Sequence, residues 1–206
     1  MLALAEQFDF AIIKDDYSHE FHFAHRPMLP LASFDRRGKV VYVGSMSKLL
    51  TPSLRIGYLI APSQFIDRAS AEVTIINRQG DPATEAAVAD LLASGVIHSH
   101  TRKVMKLYTE RRDLLARLLT MHHDDWLAFE LPVGGLALWT VLKQDLNMDA
   151  LQEVAAREGV RFLPTGLFST RDRSYPALRL GFGSLNTDEI EDAVSRLRRA
   201  FLAFSP

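Results

Sequence analysis

The stretch Gly44-Ser45-Met46-Ser47-Lys48 follows the apolar run Val40–Val43 and is followed, seven residues after the lysine, by Arg55. The run is rich in valine and predicts a strand that ends in a turn at the glycine. The lysine lies between hydroxyl residues and the apolar pair Leu49-Leu50. Apolar surroundings favour the neutral, nucleophilic form of an amine. Serine hydroxyls and a guanidinium are suited to hold a phosphate.

A nucleophilic lysine beside a phosphate cradle is what attachment of pyridoxal phosphate requires. Asp15 lies 33 residues before Lys48, just after the apolar run Phe10–Ile13, which predicts a buried parallel strand. Ligands of open α/β sheets bind at the carboxyl ends of the strands. A carboxylate at that edge can pair with the pyridine nitrogen of the cofactor and keep it protonated.

The pattern of helices and strands divides the chain into two architectures. Residues 1–95 predict an α/β segment with three parallel strands, and residues 96–206 predict an α+β domain that begins with a long connecting helix. Strands are predicted at 10–13, 39–44, 55–61, 126–131, 136–142, 160–163 and 177–182. Helices are predicted at 1–8, 63–72, from 82, at 96–122, at 149–158 and from about 186. Ser63 and Thr187 are the expected capping residues of two of these helices.

Three motifs carry a resemblance to a known family: Asp15-Asp16-Tyr17-x-x-Glu20-Phe21, Gly44–Tyr58 and Ala177–Phe182. Together they resemble the fold-type I aminotransferases, and more narrowly the aminotransferase-like domain of MocR-type regulators in the GntR family. The resemblance implies a partial pyridoxal phosphate-binding large domain at 1–95 and a small aminotransferase domain at 96–206. It covers only the C-terminal half of such a domain, so we expect a longer parent protein.

The resemblance also implies roles for individual residues. Lys48 is the catalytic lysine that carries the cofactor, and Arg179 engages the α-carboxylate of the ligand. The other expected cofactor contacts are Asp15 at the ring nitrogen, Tyr17 at the 3-oxygen, and Ser45, Ser47 and Arg55 at the phosphate. Asp16 is a competing candidate because many aminotransferases carry Asp-x-x-Tyr, although that spacing would need an acid at Lys14. The alternative interpretation of Arg179 is that it lies on an edge strand and that its side chain only points to solvent.

The function implied is that of a ligand-sensing, aminotransferase-like domain of a transcriptional regulator. Its expected ligand is an amino acid or amine, and it is expected to be a homodimer that reaches DNA only through an N-terminal domain missing from this chain. A fragment of a free-standing aminotransferase is the alternative, and a non-catalytic dimerisation remnant is a third class. Lys48, Asp15 and Arg55 count against a remnant, which need not keep all three. We expect weak cofactor binding by this chain alone, because half of the phosphate donors and the ring stack are missing.

Composition sets further limits. The chain has 206 residues, a net charge of −1 and no cysteine, which excludes disulfides, cysteine-ligated zinc and a cysteine nucleophile. No apolar run approaches about 18 residues, so no transmembrane helix is predicted. The absence of cysteine fits the cytoplasmic location that we expect. No metal site is predicted, and the histidine groups at 98–100 and 122–125 are interpreted as solvated loops or helix ends. A sheet that lacks neighbouring strands is expected to self-associate through its edge.

Overall fold

A computed structural model describes residues 1–16, 18–23, 29–162 and 176–204. The chain forms two compact units, Met1–Lys103 and Val104–Pro206. The first unit combines helices with a mixed sheet, and the second packs helices on a small antiparallel sheet. The expected class, a partial α/β large domain followed by an α+β domain, is confirmed. In the part of the chain that is described, no helix is long and apolar enough to cross a membrane.

The first unit is built on a three-stranded sheet of order β1-β2-β3. Its elements are α1 (Leu2–Gln7), β1 (Ile12–Asp16), β2 (Val40–Ser45), β3 (Gly57–Ile60), α2 (Ser63–Asn77) and α3 (Pro82–Ala93). Strands β1 and β2 run parallel, with Ile12 opposite Val40 and Asp16 opposite Gly44. Helix α4 (Val96–His123) starts in this unit and continues into the second.

The prediction of three parallel strands is wrong for the third. Strand β3 is antiparallel to β2, with Ser45 opposite Gly57 and Tyr42 opposite Ile60. Residues 46–56 connect the two strands without an α-helix, and a parallel arrangement usually needs a crossover helix. The short connection therefore returns the chain antiparallel, which an apolar strand pattern alone could not indicate.

Two further details of the first unit differ from the sequence prediction. Strand β1 begins at Ile12 rather than Phe10, because the Phe10 amide donates to the Ala5 carbonyl at 3.2 Å instead of joining the sheet. Ser63 does not cap α2; the cap position belongs to Pro62, and no side chain accepts a hydrogen bond there. Helix α2 extends to Asn77, five residues beyond its predicted end.

The second unit contains an antiparallel sheet of order β4-β5-β6. Its elements are β4 (Leu127–Phe129), β5 (Ala137–Leu142), α5 (Met148–Arg157), β6 (Ala177–Gly181) and α6 (Thr187–Leu202). The inner face of the sheet is fully buried with one face of α6, and this packing forms the core: Leu138, Thr140, Leu178, Ile190, Val194, Leu197 and Phe201. The predicted strand at 160–163 is not found at Val160–Phe162, and Leu163 lies outside the described residues.

The start of α6 carries a full capping box. The Asn186 side chain accepts a hydrogen bond from the Glu189 amide, and the Glu189 carboxylate accepts one from the Asn186 amide. Two orphan amides of the first helical turn are satisfied in this way. The prediction of Thr187 as the cap is therefore wrong by one residue, since Thr187 is the first helical residue.

Candidate functional site

The carboxyl ends of β1 and β2 meet at one edge of the first sheet. Asp15 lies opposite Val43, and Ser45 is two residues further along β2. Side chains of paired strands alternate together between the two faces, so Asp15 and Ser45 share one face of this edge. The structure thus brings together two of the residues that the sequence predicts for one site.

The loop after β2 holds the remaining candidates of the first unit. The Met46 amide donates to the Ile56 carbonyl at 3.0 Å and closes the loop at its base. Inside the loop the Ser47 amide donates to Ser45 Oγ at 3.3 Å. The Ser45 hydroxyl proton stays available to a ligand, because the oxygen uses only a lone pair in this bond.

Apolar side chains on either side of Lys48 anchor the loop. Met46 and Leu49 are 7% and 4% exposed, and the Leu49 amide donates to the Met46 carbonyl at 3.1 Å. Lys48 itself is exposed. The sequence suggested a partly buried amine beside Leu49-Leu50, and this expectation is wrong for the chain as it stands: the leucine turns inward and the lysine turns outward.

Arg55 takes a left-handed backbone conformation, with φ 53° and ψ 26°, just after the short 3-10 turn Pro52–Leu54. Its side chain is exposed. Two residues further along, Gly57 pairs closely with β2. A Cβ atom added at Gly57 would lie 2.9 Å from the Gly44 carbonyl oxygen. A larger residue at Gly57 would push β3 away from β2 and change the base of the loop.

His100 is a residue of this region that the sequence interpretation missed. Its Nε2 lies 3.2 Å from the Leu49 carbonyl oxygen and ties the first turns of α4 to the residue after Lys48. The contact joins positions 51 residues apart. No local pattern could have shown it, because the spacing His98-x-His100 equally fits a solvated helix start.

The opposite face of the same sheet is closed by two tyrosines. The Tyr42 and Tyr58 rings lie 6.0 Å apart, and the Tyr58 ring fills the space where a Gly44 Cβ would stand. Burial raises the pKa of both phenols above the usual range. Both phenols are therefore protonated at neutral pH, and this face offers no open position next to Gly44.

Asp16 belongs to this closed face and differs from Asp15 in its contacts. Its carboxylate is 11% exposed, 3.3 Å from His19 Nδ1 and 3.7 Å from Lys14 Nζ. Asp15 is exposed on the face of Ser45. The two adjacent acids thus have different environments, and only Asp15 shares a face with a predicted phosphate ligand.

Two expected site residues are not described at this edge. Arg179 belongs to the second unit, where it is exposed on the edge strand β6, and within the described ranges it forms no ion pair. Tyr17 lies outside the described residues. No group of three or more metal-ligating side chains occurs in the described part of the chain.

Comparison with known proteins identifies the family to which this chain belongs. The model of the family "Aminotransferase class I and II" matches residues 1–197. The chain belongs to the class I and II aminotransferase family. The cofactor of this family is pyridoxal phosphate, which agrees with the expectation from the Lys48 motif.

Relatives of this aminotransferase-family chain include both regulators and enzymes. It is 30% identical over 203 residues to the probable rhizopine catabolism regulatory protein MocR of Rhizobium meliloti, covering 98% of this chain and 41% of that protein. It is 26% identical over 197 residues to aromatic-amino-acid aminotransferase 1 of Thermococcus litoralis, covering 96% and 47%. The chain thus spans less than half the length of these two relatives.

Solved aminotransferase structures share the fold. The multiple substrate aminotransferase of Thermococcus profundus matches with a TM-score of 0.89 at 26% identity, over 98% of this chain and 50% of that one. The α-aminoadipate aminotransferase LysN of Thermus thermophilus, solved with N-(5'-phosphopyridoxyl)-L-leucine, matches with 0.89 at 25%, over 99% and 54%.

The donor set of this aminotransferase-family chain fits the cofactor chemically. The edge and loop present one carboxylate, two hydroxyls, an amine and a guanidinium: Asp15, Ser45, Ser47, Lys48 and Arg55. Hydroxyls and a guanidinium suit a phosphate dianion, a carboxylate suits a protonated ring nitrogen, and a lysine amine suits the aldehyde carbon. The phosphate, the ring nitrogen and the aldehyde carbon of the cofactor thus each have a residue of complementary chemistry.

Proposed function

We propose that this chain is the C-terminal part of a pyridoxal phosphate-binding, ligand-sensing domain of a MocR/GntR-type transcriptional regulator. The observation that carries the proposal is the shared sheet edge, where Asp15 and Ser45 lie on one face next to the loop of Lys48. The 30% identity to MocR and the Asp15-x-Tyr17-x-x-Glu20-Phe21 pattern support the regulator.

In this proposal each residue has one task. Ser45, Ser47 and Arg55 hold the phosphate, Asp15 pairs with the ring nitrogen, and Tyr17 contacts the 3-oxygen. Lys48 would hold the cofactor covalently, with Nζ bonded to the aldehyde carbon and the aldehyde oxygen leaving as water. When bound, the cofactor withdraws electrons from the α-carbon of an attached amino compound.

Two residues act on the ligand itself. Arg179 binds its α-carboxylate through two parallel N–H donors. The free amine of Lys48 would take the proton of the ligand's α-carbon at Nζ and could return it. In a regulator, the ligand binds one conformation of the domain more tightly than another and so increases the population of that conformation. This change repositions an N-terminal DNA-binding domain. The ligand is an amino acid or amine, and the protein works in the cytoplasm.

A free-standing aminotransferase that acts on an amino acid and a 2-oxo acid is the second candidate. The identity to an archaeal aromatic-amino-acid aminotransferase supports it. The sequence that precedes Met1 in the gene distinguishes the two: a winged helix and linker indicate a regulator, and a short arm that continues directly into the domain indicates an enzyme.

Cofactor attachment is tested by titrating the chain with pyridoxal phosphate while its near-ultraviolet and visible absorbance is followed. We expect a saturable band and, after borohydride reduction, an adduct that peptide mass mapping assigns to Lys48. Lys48→Ala should lose both signals, because Lys48 is the lysine of the loop that also carries Ser47 and Arg55. Arg55→Ala weakens binding roughly tenfold or more, as expected for loss of a charged hydrogen-bond donor.

Lys103→Ala serves as the matched control, since Lys103 is an exposed lysine of the same unit outside the loop. It should bind like the unaltered chain. Adducts spread over many lysines, or a saturable band that survives Lys48→Ala, would contradict the assignment.

The proposed homodimer is supported by the apolar surface of α2. No residue of this helix is buried, and Ile75 and Ile76 are each 75% exposed. In the described part of the chain, β1 and β3 also have no further strand beside them. Such surfaces mark interaction sites, because exposed apolar area and open strand edges both favour association.

Sedimentation equilibrium tests this expectation. We expect association that increases with concentration and weakens in the Ile75→Asp/Ile76→Asp variant. Ser70→Asp/Ala71→Asp adds the same charge to exposed positions of the same helix and should associate like the unaltered chain. A single monomeric species at every concentration would rule out the homodimer. Equal association of both variants would instead assign the contact to the strand edge.

A further inference from the structure

The lysine proposed to carry the cofactor lies in a tight turn of the backbone. The Leu49 and Leu50 amides both donate to the Met46 carbonyl, at 3.1 and 3.0 Å. A hydrogen bond from the fourth residue back to the first defines a β-turn, so Ser47 and Lys48 are its two central residues. The turn therefore fixes how the proposed phosphate hydroxyl and the proposed amine stand relative to each other.

The two ends of this turn are held by different parts of the first unit. At its start, the Met46 amide donates to the Ile56 carbonyl, just before β3. At its end, His100 on α4 places its Nε2 3.2 Å from the carbonyl oxygen of Leu49, a residue that is 4% exposed. Among the described residues, that carbonyl accepts no other hydrogen bond. His100 therefore supplies the backbone anchor at the end of the turn.

The imidazole acts as the donor in this contact. A carbonyl oxygen only accepts, so the Nε2 atom of His100 carries a proton. This condition is met by the neutral Nε2–H tautomer and by the charged ring, whereas the Nδ1–H tautomer would bring two acceptors together. A glutamine amide can offer an N–H at a similar distance from the backbone, and a leucine cannot. These two residues are therefore the conservative and the disruptive replacement.

The helix that presents His100 is anchored at the same point. Ile97, one turn earlier on the same face of α4, is 4% exposed. It lines one cavity together with Met46 and Leu49, so the start of the helix and the turn share apolar contacts. The Thr101 hydroxyl also donates to the Ile97 carbonyl at 2.8 Å. The imidazole is thus held by a packed helix, which places a side chain more precisely than a loop does.

We propose that His100 is a positioning residue for the cofactor site. By holding the Leu49 carbonyl, it keeps the turn in the conformation that presents Ser47 and Lys48 to pyridoxal phosphate. The inference rests on the proposed function, in which these two residues bind the cofactor. His100 acts through the backbone of Leu49 and not on the cofactor itself.

Amide hydrogen exchange of the full chain tests the bond without any cofactor. His100→Leu should speed exchange of the Leu49 and Leu50 amides roughly two- to tenfold, as expected for the loss of one hydrogen bond that keeps the turn closed. The Tyr42 amide, in the central strand β2, reports the stability of the whole unit and should keep its rate. His100→Gln should keep all three rates close to those of the unaltered chain.

The consequence for the cofactor site is tested by incubation with an aldehyde, borohydride reduction and peptide mass mapping. The aldehydes are pyridoxal phosphate and pyridoxal, which lacks the phosphate. His100→Leu should lower the Lys48 adduct with pyridoxal phosphate roughly two- to tenfold and leave the adduct with pyridoxal nearly unchanged. Only the first aldehyde needs Ser47 and Lys48 in a fixed arrangement.

Two further variants serve as controls for this measurement. His100→Gln, which keeps an N–H donor, should restore the adduct with pyridoxal phosphate. His98→Leu alters an exposed histidine two residues earlier on the same helix and should behave like the unaltered chain.

The proposal is overturned if His100→Leu leaves the exchange of Leu49 and Leu50 unchanged, if it lowers the adducts of both aldehydes equally, or if His100→Gln fails to restore the yield. Faster exchange of Tyr42 in His100→Leu would also overturn it, because His100 would then support the unit as a whole. An unaltered chain that gives no Lys48 adduct would contradict the proposed cofactor site, whereas the exchange rates test the hold of His100 on the turn independently.

Discussion

Phe201→Ala is expected to lower the free energy of unfolding of the second unit by roughly 3–5 kcal/mol, the range for truncating a fully buried phenylalanine. Phe201 is 0% exposed. Its ring stacks on Trp126 at 5.4 Å with an interplanar angle of 16°, and meets His123 edge-on at 5.7 Å. Truncation removes the apolar surface that these rings share and leaves a cavity between α4 and α6.

Chemical denaturation followed by tryptophan fluorescence measures the effect, because Trp126 loses its stacking partner when the unit unfolds. Leu202→Ala is the matched control: it truncates the next residue of the same helix, which is 49% exposed. The control should change the free energy of unfolding by less than about 1 kcal/mol. Equal losses in the two variants would show that Phe201 is not a core residue.

Acidification is expected to destabilise the second unit through His123 by about 3 kcal/mol between pH 6.5 and pH 4. The imidazole is 0% exposed at the end of α4, and neither ring nitrogen has a hydrogen-bond partner in the described structure. Burial, with smaller contributions from the positive charges of His122 on α4 and Arg198 on α6, lowers the pKa of His123 to about 4.

The direction follows from proton binding. The unfolded chain takes up a proton on His123 near pH 6.5, while the folded chain resists it until about pH 4. Between these values the unfolded state binds more protons, so its free energy falls relative to the folded state as the pH drops. The contribution of neutral, buried His123 to the free energy of unfolding is fully present above pH 6.5 and is lost progressively towards pH 4.

Free energies of unfolding at a series of pH values test the effect of His123. His123→Phe and His123→Leu should both flatten the dependence between pH 6.5 and pH 4 relative to the unaltered chain. His122→Leu, a change at the neighbouring half-buried histidine, should keep most of it, because burial is the larger cause of the lowered His123 pKa. At pH 8 the His123 variants should lose little stability, since they remove two unsatisfied buried nitrogens. An unchanged pH dependence in both His123 variants would contradict the assignment.

The elements that the sequence predicted correctly depend on local pattern or on short-range pairing. The long helix was placed at 96–122 and is found at Val96–His123, because its apolar residues repeat at helical spacing over many turns. The pairing of β4 with β5 follows from a short connection between two apolar runs. The Lys48 motif indicated the family because it combines several residue types at fixed spacing.

The features that were missed depend on contacts between distant parts of the chain. His123 was interpreted as solvated because it lies next to His122 and Asp124, yet packing against α6 buries it completely. The hydrogen bond from His100 to Leu49 has no counterpart in local sequence. The reversed direction of β3 and the exposure of Lys48 likewise depend on how the loop closes at Met46 and Ile56.

Arg55 shows how stability and binding can select different residues at one position. Its left-handed backbone conformation is one that glycine adopts at no steric cost and that other residues pay for with roughly 1 kcal/mol or more. A laboratory selection for thermal resistance would therefore favour glycine at this position. The same exchange would delete the guanidinium proposed for the phosphate. Thermostable variants of this chain should accordingly be screened for cofactor retention before any are chosen for further work.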